Sequence, residues 1–210
     1  MTAESAARRM RSALPGSLIG MENDRVAASR TIEAPPEAVF AVLADPSSHA
    51  DVDGTGWVRG SHDDDRITGA GQVFRMGMYH PGHPDGEYET ANLVEVFDEP
   101  RAIAWKTGTE SETGELSFGG WTWRYDLEPA GPTSTTVTLT YDWSGVGPEV
   151  REYLHFPPFP PDHLDHSLQH LAELAGDPTA LSEILAKGAD RARATAEVTL
   201  ARAQAAVGLR

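Results

Sequence analysis

Gly120-Trp121-Thr122-Trp123-Arg124-Tyr125-Asp126-Leu127-Glu128 alternates without a break. Trp121, Trp123, Tyr125 and Leu127 fall on one side of an extended chain, and Thr122, Arg124, Asp126 and Glu128 on the other. A period of two predicts a strand with one face in an apolar interior and one in water. Residues 135–143 repeat the pattern, with Val137, Leu139, Tyr141 and Trp143 together, and Ala130-Gly131-Pro132 between the two runs reads as a hairpin turn. A turn that short joins antiparallel neighbours, because parallel strands need a crossover of a dozen residues or more.

Upstream the same signal recurs. Residues 101–107 and 87–97 read as strands on either side of a turn at Pro100, and 72–78 places Phe74, Met76 and Met78 on one face. Residues 25–33 put Val26, Ala28 and Ile32 on one side of a further strand, which Ala34-Pro35-Pro36 ends. Pro36 suits the first turn of a helix, where its missing N–H costs nothing. Val39, Val42 and Leu43 carry that helix to Asp45-Pro46, and Ser47 starts a second short turn through Asp51.

Downstream, Phe156-Pro157-Pro158-Phe159-Pro160-Pro161 reads as a stiff extended linker. Asp162 is placed to cap a helix whose stripe is Leu164, Leu168, Leu171 and Ala175 and which Gly176 ends. The order is strand, two short helices, an antiparallel meander of about six strands and a closing helix, so the fold class is α+β.

That order, with Ala34-Pro35-Pro36-Glu37-Ala38-Val39-Phe40, Leu43-Ala44-Asp45-Pro46-Ser47 and Pro100-Arg101-Ala102-Ile103-Ala104-Trp105, resembles the START-like (SRPBCC, helix-grip) superfamily, and more narrowly the polyketide cyclase/dehydrase-type proteins of actinobacteria. The resemblance covers residues 24–176 and implies a curved antiparallel sheet of about six to seven strands wrapped on a long C-terminal helix, with a cavity between them. It divides the chain into an N-terminal tail, loose or partly helical, over 1–22, a ligand-binding domain over 23–177 and a helical extension over 178–210. Residues 178–208, alanine-rich and strongly helix-forming, are similar to the C-terminal helical segment of bacterial tryptophanyl-tRNA synthetases, without the catalytic signatures of those enzymes. Self-pairing into a homodimer through this helix is a further expectation.

The net charge of −15 is concentrated in the middle of the chain: twelve carboxylates against Arg59, Arg66 and Arg75 between Asp45 and Glu99. Such a surface repels phosphate backbones, so nucleic acid is not an expected partner. No run approaches the ~20 apolar residues of a membrane span, so membrane insertion is not expected either. The chain has no cysteine, which removes disulfides, thiolate nucleophiles and thiolate metal sites and suits a reducing cytoplasm.

The expected ligand is a small hydrophobic or aromatic, lipid- or polyketide-like molecule. Its wall would be Phe74, Met76, Met78, Trp105, Trp121, Trp123, Tyr125 and Tyr141. The same residues would equally fill a solid core. His163, His166 and His170 stand at i, i+3, i+7 beside the leucine stripe, and His166 and His170 are placed at the rim of the cavity; a solvated flank is the plainer alternative. His80-Pro81-Gly82-His83-Pro84-Asp85 sits in a loop between strands, where gates to such cavities lie.

No cofactor and no metal are expected. Gly54-Thr55-Gly56-Trp57-Val58-Arg59-Gly60 has its third glycine one residue late for a dinucleotide loop and leads into a strand instead of a helix. Asp51-Val52-Asp53-Gly54 starts like a calcium loop but carries His62 where the twelfth-position glutamate belongs. Binding without turnover and cofactor-independent cyclisation or dehydration both remain open. For the second, Tyr125, Tyr141 and His166 are the candidate proton-transfer groups.

Overall fold

The computed structural model describes residues 20–208 except Asn23, Asp64 and Pro161. The sheet consists of β1 (Gly20–Glu22), β2 (Arg25–Ile32), β3 (Val58–Ser61), β4 (Val73–Tyr79), β5 (Glu87–Asp98), β6 (Ala102–Glu110), β7 (Leu116–Gly131) and β8 (Ser134–Asp142), in the order β1-β2-β8-β7-β6-β5-β4-β3. Every neighbouring pair is antiparallel. Strands β3 to β8 form the meander, and β2 pairs with β8 from Arg25↔Asp142 to Ile32↔Thr135, bringing the start of the domain against its last strand. Of the residues expected in the N-terminal tail, 1–19 lie outside the described residues and 20–22 pair with β2 as β1.

Alternation gives the sheet two chemically different faces. Outward, polar pairs run across it, Ser29 with Thr138 at 2.8 Å, Lys106 with Glu95 at 3.2 Å and Arg75 with Glu110 at 2.6 Å, and Arg124 pairs with Asp126 along β7 at 2.6 Å. Inward lie Val26, Ala28, Phe74, Met76, Trp105, Tyr125, Leu127, Leu139 and Tyr141, all buried. Register shifts at Val94/Val96 and Lys106/Gly108 interrupt the ladders of β5 and β6, and such bulges sharpen twist and curl a sheet about its inner face.

Helix α1 (Pro36–Leu43) opens with Pro36 at its first position, and every residue from Ala38 to Leu43 is buried. The Asp45 side chain accepts from the Ser47 N–H and hydroxyl at 3.0 and 2.7 Å, capping a 3-10 turn that runs directly into α2 (His49–Val52). A single turn, α3 (Pro148–Arg151), precedes the proline-rich segment. Helix α4 (His163–Gly176) buries Leu164, Leu168, Leu171 and Ala175 against the inner face. Fully burying one leucine is worth about 1.5–3 kcal/mol, so the three leucines hold α4 firmly on the sheet. After Asp177, α5 (Pro178–Ala206) continues as a separate helix; Leu181 and Ile184 pack on the core, while Val198 and Leu200 are exposed.

Candidate ligand-binding cavity

The core is not solid. Between the inner face of the sheet, α2, the 53–57 loop, the 156–159 segment and the start of α4 lies a cavity of about 510 Å³. That volume is in the range that encloses a drug-sized molecule. Phe74, Met76, Met78, Trp105, Trp121, Trp123, Tyr125 and Tyr141, the eight sheet residues singled out by alternation, all line it.

The aromatic rings form a connected wall. Trp123 lies 4.5 Å from Tyr141 and 5.5 Å from Phe159, and the His163 ring meets it edge-on at 5.6 Å. At the other end the His49 ring stacks on Trp105 at 5.3 Å and abuts the edge of Phe74. The loop of residues 80–85 contributes His80, Gly82 and His83; His80 meets Trp57 edge-on and His83 stacks on Tyr88.

The histidines of α4 separate by position. His163, 6% exposed, lines the cavity, and its Nδ1 is buried with no hydrogen-bond partner among the described residues. His166 and His170, expected at the rim, do not line it. His166 is half exposed and points at Asp162, 3.8 Å away. His170 lies two turns beyond His163 on the same side of the helix, where the 53–54 loop covers it: its Nδ1–H donates to the Asp53 carbonyl at 3.2 Å. The helical spacing is what the sequence suggested, but the loop from α2 to β3 occupies the space beside the second and third histidines.

That loop is fixed by Asp53. Its carboxylate accepts from the Thr55 N–H and hydroxyl at 3.1 and 2.9 Å, and from the Trp57 and Val58 N–H groups at 2.7 and 3.0 Å. The Gly54 N–H donates to Ser167 Oγ at 3.0 Å, tying the loop to α4. Asp53 and Thr55 thereby reach the cavity wall. Deeper, the Asn92 amide donates toward Thr90 Oγ1 and accepts from the Thr107 hydroxyl at 2.8 Å, so the polar floor is self-satisfied.

Burial sets the ionisation of the lining. It holds the His163 imidazolium down to about pKa 4, partly opposed by the Asp53 charge. It lowers His49 as well, and it pushes the Tyr125 and Tyr141 phenols well above their ordinary value. At neutral pH all four are uncharged. A base with so low a pKa accepts protons poorly, and a phenol raised so far gives one up poorly. The wall is better equipped to hydrogen-bond than to transfer protons. Among the described residues no three His, Asp or Glu side chains are grouped to hold a metal ion, and no helix is long and apolar enough to cross a membrane.

Sequence reasoning passed over His49, Asp53, Phe156 and Phe159. The phenylalanines belong to a proline-rich segment read as a spacer, yet Phe159 is buried at the centre of the aromatic wall. Two aromatics alternating within a proline run were the available signal. His49 had none, because its position depends on where a single-turn helix meets the sheet.

A curled antiparallel sheet closed by a C-terminal helix over an internal cavity defines a START-like, helix-grip protein. Residues 24–197 match the family described as polyketide cyclase/dehydrase and lipid transport, and the chain belongs to that family. The match runs into α5 and lends no support to the likeness of that helix to a synthetase segment. Two Mycobacterium tuberculosis proteins are similar: the uncharacterized protein Rv0088, 30% identical over 123 residues, and the uncharacterized protein MT0096, 33% identical over 124. Each alignment takes in 59% of this chain and 49% of the relative, so the chain spans about half the length of the curated relatives it matches. Among solved structures, protein Ms6760 from Mycobacterium smegmatis superposes with a TM-score of 0.54 at 16% identity, over 76% of this chain and 96% of that one. A protein from Arthrobacter aurescens superposes with a TM-score of 0.56 at 12% identity, over 78% and 94%. At such identities these two show the fold alone.

Proposed function

We propose that the protein binds one small hydrophobic or aromatic molecule, lipid- or polyketide-like, in the cavity between the sheet and α4. The observation that carries this reading is a void of about 510 Å³ walled by Trp105, Trp121, Trp123, Tyr125 and Tyr141, where a purely structural core would be filled. The lack of cysteine suits action in a reducing cytoplasm. Cofactor-independent cyclisation or dehydration is the competing reading that the family description brings, and the suppressed basicity of His49 and His163 weighs toward binding.

The test is titration with an apolar fluorescent probe, monitored by quenching of tryptophan emission. Expected are a stoichiometry near one to one and an affinity at least about tenfold weaker in Trp123→Gln, since losing a large aromatic contact exceeds 1.4 kcal/mol. Thr122→Gln, on the opposite face of β7, changes it little. Equal effects of the two substitutions would sink the proposal. Incubation with a reactive poly-β-carbonyl thioester, followed for cyclised product, separates binding from turnover.

A further inference from the structure

The nitrogens of His49 have different jobs. Nε2 lies 2.8 Å from the Leu43 carbonyl oxygen, which can only accept, so Nε2 carries the hydrogen and Nδ1 keeps a bare lone pair. Stacking on Trp105 with an interplanar angle of 18° and the edge contact to Phe74 hold the ring in place. His49 lines the cavity, and Nδ1 has no hydrogen-bond partner among the described residues. Burial lowers its pKa, with the hydrogen bond to the Leu43 carbonyl and the nearby Asp45 charge opposing only in part, so the lone pair stays unprotonated at neutral pH.

The charge pattern of the wall is one-sided. Among the described residues no lysine or arginine lines the cavity, and its one carboxylate is Asp53. A carboxylate ligand would leave water, find no lysine or arginine and meet that negative charge. A hydroxyl loses far less on entry and finds an acceptor waiting. Tyr125 and Tyr141 also line the cavity, and their hydroxyls can bond to a second ligand oxygen.

We infer that the cavity selects uncharged aromatic molecules bearing a hydroxyl that donates to His49 Nδ1, and rejects the carboxylate of the same skeleton. The inference rests on the ligand-binding reading above and narrows it: free fatty acids and aromatic acids are excluded from the site.

Three probes of one skeleton test it at neutral pH: 2-naphthol, 2-methoxynaphthalene and 2-naphthoate. Naphthol is expected to bind about five- to tenfold more tightly than the methyl ether, the value of one net hydrogen bond, and naphthoate at least about tenfold more weakly than the ether. In His49→Phe, which keeps a ring but loses both the acceptor and the Nε2–H bond to the Leu43 carbonyl, the advantage of naphthol over its methyl ether disappears. Should that variant fail to fold, ¹⁵N-histidine spectra of the unmodified protein decide: one imidazole Nδ1 resonance moves with naphthol and stays put with the ether. Naphthoate binding as tightly as naphthol, or naphthol and ether binding alike, overturns the inference. If the apolar probe and all three naphthalenes fail to bind, the ligand-binding reading itself is lost; if the probe binds and the order is wrong, only this inference falls.

Discussion

Replacing Gly54 by alanine tests whether the loop from α2 to β3 is seated on α4 as described. A Cβ at this position would lie 2.5 Å from the His163 carbonyl oxygen, 2.7 Å from the Ser167 nitrogen and 2.8 Å from the His166 Cβ. Two of the three are backbone atoms of a helix pinned by fully buried leucines, so no flexible side chain is available to yield. Restoring ordinary contact needs a shift of about 1 Å, which also stretches the 3.0 Å bond from the Gly54 N–H to Ser167. Overpacking of this kind costs about 1–3 kcal/mol and a lost hydrogen bond about 1 kcal/mol more, against a gain of roughly 0.4–1 kcal/mol from stiffening the unfolded chain. The net loss lowers the melting temperature by roughly 3–12 °C in a domain of this size. Thermal unfolding followed by circular dichroism measures it. Gly69→Ala is the control, because a Cβ there meets nothing within 4 Å; it should melt within about 1 °C of the parent. If Gly54→Ala is equally silent, the loop does not rest on α4, and the placement of Asp53 and His163 in the wall is wrong.

His163 makes stability depend on pH. Its folded pKa of about 4 lies below the ordinary 6.5, so between those values the unfolded chain binds more protons than the folded one. Its contribution is therefore full above pH ~6.5 and is lost as pH falls toward ~4, by up to about 3 kcal/mol. His163→Phe should flatten the urea-unfolding profile across that window, and an unchanged profile would show that the imidazole is not buried as described. Truncation separates the two last helices. Among the described residues, a chain ending at Asp177 loses the partial burial of Leu181 and Ile184 and should fold and bind the apolar probe, whereas one ending at Pro161 loses Leu164, Leu168 and Leu171. Three such losses of about 1.5–3 kcal/mol rival a total stability of about 5–15 kcal/mol. An unfolded chain ending at Asp177 would move the domain boundary into α5. Light scattering on the same pair of proteins reports whether α5 carries self-association.

Periodicity by itself determined the two-faced strands, their antiparallel order and the leucine stripe of α4. Those features depend on local geometry: side chains alternate along any strand, and positions three and four apart share a helix face. It also picked out Phe74, Trp105, Trp123 and Tyr141 as one face, because register carries a whole face inward at once. Whether that face encloses a cavity or packs solid is not a local property, since alternating aromatics look the same in both cases. Only the tertiary structure decided it, through the bulges that curl β5 and β6, the proline-rich segment that carries Phe159 over the wall, and the Asp53 loop against α4. The polar contacts follow the same division. His163 and His170 share one side of one helix, yet the first opens on the cavity and the second is covered by the Asp53 carbonyl, because a loop more than a hundred residues away in sequence lies across the second. His49 needed still more: a carbonyl at the end of α1 to fix its tautomer and a tryptophan from β6 to hold its ring, neither of which spacing along the chain can announce.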